Sequence, residues 1–264
     1  QFPYLDSLMG LEVKLINMSF IRSSLWAGFF LLILLSWYYL YSMSLMMGLD
    51  WFGQSERSMS MGSKVTFKTL FPMWSIMMIA MMFPAMVPTL KGYQDLIKSA
   101  NGSWLGWLGV LLGYFIIWVL FSLIISTIQS FLTEIKILTD LGLLKSEWMI
   151  SLVLIVVGIF QFTVLKDYCH GVCHSPMAYF LTKWRQGFFG GLRMGLGLGL
   201  FCVGCCWGFM VLGFTVGYMN FAWMGLITLV VVIEKLPQVG VLVKKPLGSI
   251  LIISGIGLAL INFN

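Results

Sequence analysis

Long apolar runs with few charged residues recur along the chain and constrain its fold more than any other feature. Runs such as 24–47 and 148–165 reach the roughly 20 residues that a helix needs to cross a bilayer. Only 10% of the 264 residues are charged, against about 25% in soluble domains. Backbone groups in lipid must hydrogen-bond within their own segment. The sequence therefore predicts an all-α, polytopic transmembrane helical bundle.

About seven spans are predicted from the apolar runs, with approximate bounds 24–47, 71–90, 104–131, 148–166, 195–219, 221–236 and 246–262. The sixth is short, and Asn220 before it allows spans five and six to form a re-entrant pair, which would leave six. Residues 1–23 mix basic and apolar side chains, which predicts a segment lying on the membrane surface. The remaining residues, 24–264, form a single transmembrane domain. No signal peptide is expected, because no short apolar stretch with a cleavage site precedes the first span.

The basic residues predict the orientation of the chain. The N-terminus and the loops on its side hold eleven Lys and Arg, and the opposite side holds five. Cytoplasmic loops carry the excess of basic residues. We therefore expect a bacterial cytoplasmic (inner) membrane protein with its N-terminus in the cytoplasm and its C-terminus outside. The net charge of +6 reflects this bias and requires no nucleic acid partner.

All cysteines and histidines of the chain fall within 38 residues: Cys169, His170, Cys173, His174, Cys202, Cys205 and Cys206. Cysteines four apart on a helix share a face with Cβ atoms about 5–6 Å apart, whereas a disulfide requires about 3.8 Å. Reduced thiols on one face bind soft metals, Cu(I) first and Zn(II) second. The alternative is that these cysteines pack as small hydrophobic side chains.

Helical geometry narrows the ligand set. Side chains at adjacent helical positions diverge by about 100°, so Cys205 and Cys206 are not expected to reach one point together. The predicted core is Cys202 with either of them. Cys169, Cys173 or a methionine of the stretch FPMWSIMMIAMMFPAMVP, residues 71–88, would complete it. The methionine candidates are Met77, Met78, Met81 and Met82. Thioethers select Cu(I), although methionine also fills cores.

Three further features shape these spans. Glu234 is interpreted either as a ligand or proton site or as an interfacial residue screened by Lys235. Pro84 and Pro88 remove backbone donors and should kink or unwind the second span. Glycines four residues apart in span five allow close helix approach and should make that span central, with span two or six beside the cysteines.

These residues together resemble a bacterial family of predicted metal-binding integral membrane proteins. The similarity runs in order from about residue 70 to 240 through WSIMMIAMMFP (74–84), KDYCHGVCHSP (166–176), CVGCCWGFM (202–210), MN (219–220) and EKLP (234–237). It implies a metal-binding membrane protein. His170 and His174 stand where the family more often has Leu and Arg, so the resemblance does not make them ligands.

Three functions are compatible with these observations. The first is a membrane protein that binds Cu(I) through cysteine and methionine for metal handling or delivery. The second is a structural or assembly subunit in which the cysteines only pack, and the third is a membrane thiol–disulfide carrier. Classical hydrolytic or phosphoryl-transfer chemistry is not expected, because nucleotide loops, haem motifs, nucleophile triads and paired carboxylates are absent from the sequence. The expected partners are the lipid bilayer and either other membrane subunits or a second copy of the chain.

Overall fold

The computed structural model describes residues 3–53, 66–100, 102–218, 220–236 and 239–263, with side chains from residue 18 onward except that of residue 241. The regular elements in these ranges are helices, which confirms the all-α prediction. They are α1 (Pro3–Met46), α2 (Phe67–Met82), α3 (Val87–Ser99), α4 (Trp104–Glu134), α5 (Glu147–Phe160), α6 (Val164–His174), α7 (Pro176–Lys183), α8 (Gly187–Val211), α9 (Gly213–Val216), α10 (Phe221–Glu234) and α11 (Gly240–Ile261).

The described helices provide four to six candidate spans. Four are long and apolar enough alone: Met18–Met46, Trp104–Glu134, Gly187–Val216 and Leu242–Ile261. Two bent pairs, α2 with Pro84–Ser99 and α5 with α6, raise the number to six if each pair is one span. The upper number agrees with the predicted alternative of six spans, and the remaining predicted span, 221–236, is the short helix α10. At 1.5 Å per residue, the 14 residues of α10 rise about 21 Å, which is less than the ~30 Å hydrocarbon core.

The second span is bent where the prolines predicted it. A 3₁₀ turn, Pro84–Met86, separates α2 from α3, and the two parts differ in direction by 42°. Pro84 has no backbone N–H to continue the helical ladder. Asn220 also has a structural role, because its side chain accepts a hydrogen bond of 2.8 Å from the Trp223 N–H and caps α10.

The predicted span 148–166 is wrong as a continuous helix. The chain breaks after Phe160 and turns by 64° before α6 begins. The Thr163 hydroxyl accepts a bond of 3.3 Å from the Lys166 N–H and starts the new helix. As a result the first cysteines and both histidines lie on a helix packed against α8, and not in the loop where the sequence placed them.

Close packing of α4 on α8 places the cysteine helix at the centre of the fold. A Cβ on Gly109 would lie 2.8 Å from the Leu192 backbone nitrogen, and one on Gly195 would lie 2.8 Å from the Val110 backbone carbon. The glycine face of α8 thus allows close approach as predicted. The helix packed on this face belongs to the third predicted span, and the sixth predicted span, 221–236, reaches the cysteines as expected, through Lys235.

The N-terminal segment 1–23 was predicted to lie on the membrane surface. From Pro3 onward it is the first part of α1, which continues without a break to Met46. The side chains of residues 1–17 lie outside the described part, so the surface location stays a prediction.

Candidate metal centre

Three buried thiols on two helices form a compact group, which we call the thiol cluster: Cys173 of α6 with Cys202 and Cys205 of α8. Their sulfur atoms all lie within 4.8 Å of one another. The Cys205 and Cys173 sulfurs are 3.8 Å apart, and none of the three residues is more than 6% exposed. The bend between α5 and α6 makes this arrangement possible, because it folds Cys173 back onto α8.

Cys206 lies next to the thiol cluster. Its sulfur is 3.3 Å from that of Cys205, so the expectation that these adjacent side chains diverge is wrong. The Cys205 thiol points back along α8 and donates to the Cys202 carbonyl at 3.2 Å. Rotation about the Cα–Cβ bond therefore brings the two sulfurs together, although the Cα–Cβ bonds of the two residues point in different directions.

Cys169 occupies a different place. It lies one turn before Cys173 on α6 and packs against Gly204, where a Cβ would come within 2.8 Å of the Cys169 sulfur. Cys169 is not a member of the thiol cluster. All five cysteines are free thiols.

A lysine and a tyrosine contact the thiol cluster directly, and sequence reasoning missed both roles. The Lys235 ammonium donates to the Cys202 sulfur at 2.7 Å, and its side chain is only 6% exposed. The Tyr114 hydroxyl lies 3.0 Å from the same sulfur and donates to the Met82 carbonyl at 3.3 Å. Cys202 thus has a positive charge and a hydroxyl beside it.

Glu234 forms a second charged contact next to the thiol cluster. Its Oε2 is 2.8 Å from the Lys166 ammonium, and both side chains are buried. Lys166 also donates to the Cys205 carbonyl at 2.8 Å. The charge partner of Glu234 is therefore Lys166 and not Lys235 as expected. The other carboxylate oxygen has no hydrogen-bond partner among the described residues.

The two histidines lie on α6 beside Glu234. The Nε2 of His170 is 2.8 Å from the Glu234 carbonyl oxygen. The rings of His170 and His174 stack with centroids 5.4 Å apart. Both are close to the thiol cluster in sequence but are not members of it.

The four candidate methionines are all buried in the core. Met77 and Met81 line a small cavity together with Met210 and Met224, and this lining includes no cysteine. Met82 meets Tyr114 through its backbone carbonyl. Whether any methionine binds metal with the cysteines stays a prediction.

The fold and the thiol cluster define a class: a helical protein with several apolar helices long enough to cross a membrane and a buried three-thiol group suited to a soft metal. Residues 71–258 match the family model of PpoB2, described as a copper chaperone. The match covers more than half of the chain, and the chain belongs to that family. No curated protein matches it significantly, and neither does any solved structure. Family and thiol cluster together support copper binding.

Proposed function

We propose that the protein is a membrane copper chaperone that holds Cu(I) at the thiol cluster and delivers it to an acceptor. The observation that carries the proposal is the convergence of three free, buried thiols within 4.8 Å of one another. Thiolate sulfur is the ligand that selects Cu(I). Copper is the cargo of the site and not a permanent cofactor.

Charge balance supports binding of a single Cu(I). A buried net charge in an apolar environment is costly. Cu(I) held by two thiolates and a neutral third thiol carries one negative charge, which the adjacent Lys235 ammonium compensates. Lys166 and Glu234 compensate each other. Zn(II) on three thiolates would also balance Lys235, so the preference for copper rests on the family.

Delivery is supported by the fourth thiol. The sulfur of Cys206 is 3.3 Å from that of Cys205, which permits copper to exchange one sulfur for the other. The bond to Cys205 breaks as the bond to Cys206 forms, the thiol proton moves in the opposite direction, and the oxidation state does not change. Stepwise exchange of this kind would let a partner thiol remove the ion without releasing it into lipid.

The test is copper content and coordination of the purified protein. After anaerobic purification in detergent, the wild type should bind Cu(I) with sulfur ligands in its X-ray absorption spectrum. The double change Cys202→Ser with Cys205→Ser should abolish that copper. Cys169→Ser is the matched control, because it removes a buried thiol outside the thiol cluster, and copper should remain.

Two results would contradict the proposal. Copper content that is unchanged in the double variant would leave the cysteines as packing residues of a structural subunit. A metal-free wild type with an oxidised Cys173–Cys205 pair would favour the thiol–disulfide carrier instead.

We also propose the bacterial inner membrane as the location, with α7 on the cytoplasmic side. The five native cysteines are buried, so a membrane-impermeant maleimide should report on an added exposed cysteine. Outside intact cells it should label a Glu134→Cys variant and not a Lys183→Cys variant. The reverse pattern would invert the orientation. Association with a membrane partner or a second copy stays a prediction.

A further inference from the structure

A small cavity is lined by four methionine residues that the proposed site does not use, and we call it the methionine cavity. It lies between α2, α8 and α10, and the residues that define its chemistry are Met77, Met81, Met210, Met224, Tyr218 and Trp223. Its volume is about 10 Å³, which is about the minimum that a water-sized occupant requires. The cavity can therefore hold one small occupant.

The donor set of the methionine cavity is unusual for a packing defect. Four methionines from three separate helices meet there, and all four side chains are buried. Thioether sulfur is a soft, uncharged ligand that favours Cu(I). The rings of Tyr218 and Trp223 add aromatic faces, which attract cations.

Two residues of this lining, Tyr218 and Trp223, also carry unpaired polar atoms. The Tyr218 hydroxyl and the Trp223 indole nitrogen are buried and have no hydrogen-bond partner among the described residues. The Tyr218 ring is fixed by Trp74 and Phe214, each with its centroid 4.6 Å away. Both groups carry hydrogen-bond donors, which a water molecule can satisfy and Cu(I) cannot, so water is the competing occupant of the methionine cavity.

We propose that the methionine cavity is a second Cu(I) site, adjacent to the thiol cluster and formed by thioether sulfurs. The inference rests on the proposed function and extends it from one copper position to two. Met210 follows Cys206 by four residues on α8, a rise of about 6 Å along the helix axis. In the predicted orientation the cavity lies between the thiol cluster and the outer side.

The charges of the two sites set their order of affinity. Cu(I) bound by thioethers keeps its full positive charge in an apolar cavity, which is costly. At the thiol cluster the same ion is neutralised by thiolates. The methionine cavity therefore binds copper more weakly and exchanges it faster, which suits a position through which copper enters or leaves the thiol cluster.

The decisive measurement uses the folded wild type with selenomethionine in place of methionine. The purified protein is titrated anaerobically with Cu(I), and copper X-ray absorption is recorded at one and two equivalents. The first equivalent should show sulfur scattering, and the second should add copper–selenium scattering. Absence of copper–selenium scattering at two equivalents would overturn the inference and would leave a water molecule as the occupant.

Variants separate the two sites. Leucine conserves methionine volume, so the cavity variant carries Leu at Met77, Met81, Met210 and Met224. It should lose the second copper and keep the first, and the pair Met210→Leu with Met224→Leu serves if the quadruple variant does not fold. The matched control is Met73→Leu with Met86→Leu, two buried methionines outside the cavity lining, and it should bind two.

The failures of the two proposals are distinguishable. One copper per wild-type chain, lost in the Cys202→Ser, Cys205→Ser variant and kept in the cavity variant, would overturn the second site alone. Copper that survives the cysteine changes and disappears in the cavity variant would overturn the thiol site and support the methionine cavity.

Discussion

Replacing Lys235 by Met should weaken Cu(I) binding strongly without destabilising the copper-free protein. The ammonium lies 2.7 Å from the Cys202 sulfur and the side chain is 6% exposed, so solvent screens the contact little. Two unit charges 4 Å apart attract by about 4 kcal/mol at an effective dielectric constant of 20. Removal of one partner from a buried charge pair costs about 3–5 kcal/mol. Since 1.4 kcal/mol corresponds to a factor of ten, we expect the Cu(I) affinity to decrease by a factor between roughly 100 and several thousand.

The copper-free protein should respond differently. When the cysteines are neutral thiols, the buried Lys235 ammonium has no anionic partner among the described residues, because it contacts Cys202 and the Tyr114 ring. Burial of such a charge is costly, so methionine should leave the unfolding temperature unchanged or raise it. If the Lys235 ammonium balances the charge of the copper-loaded thiolates, its removal should weaken Cu(I) binding and should not lower the stability of the copper-free protein.

The assay combines Cu(I) competition against a chelator with thermal unfolding in detergent. Lys235→Arg keeps the charge and should retain more affinity than Lys235→Met. Lys244→Met is the control, because Lys244 is also buried but pairs with Asp167. Wild-type affinity in Lys235→Met would refute the counter-charge reasoning. Loss of the copper-free fold in that variant would give Lys235 a structural role instead.

Two further predictions concern stability and use the same unfolding assay. Lys166→Met leaves the Glu234 carboxylate buried and unpaired, and should lower the free energy of unfolding by about 3–5 kcal/mol. Adding Glu234→Gln should restore part of that stability. An equal loss of stability in the double variant would exclude charge pairing as the cause. Gly195→Ala places a Cβ 2.8 Å from the Val110 backbone carbon and should cost about 1–3 kcal/mol by overpacking. Gly225→Ala, which has open space around its Cβ, should cost nothing, and a similar loss there would contradict the packing argument.

The sequence predicted the helical class and the importance of the sulfur-rich segment, because both depend on composition and on position along the chain. Apolar run length is enough to predict helices in lipid. The confinement of every cysteine to 38 residues pointed to α6 and α8 before their contact was known. Pro84 predicted the bend of the second span, because a missing backbone donor acts locally.

Contacts between distant segments could not be predicted in the same way. The turn of 64° between α5 and α6 contains no proline or glycine at residues 161–163 to mark it, yet it decides that Cys173 joins the thiol cluster and Cys169 does not. The convergence of Cys205 and Cys206 depends on side-chain rotation, which helical periodicity does not describe. The choice of α4 as the glycine-face partner depends on matching glycines in two helices.

Lys166 and Lys235 show why the rule that assigns basic residues to cytoplasmic loops did not predict their place in the site. Lys166 and Lys235 stand at the ends of predicted spans, and the orientation rule counts such residues as loop charges. Both are buried, and so is Lys244, which leaves eight exposed or unassigned basic residues against five and weakens the orientation argument without reversing it. A buried lysine requires a partner. Lys166 has Glu234, whereas the neighbours of the Lys235 ammonium among the described residues are Cys202 and Tyr114. In the proposed function the copper-loaded thiolates supply the missing negative charge, and Lys235 then links the burial of this site to the charge of its cargo.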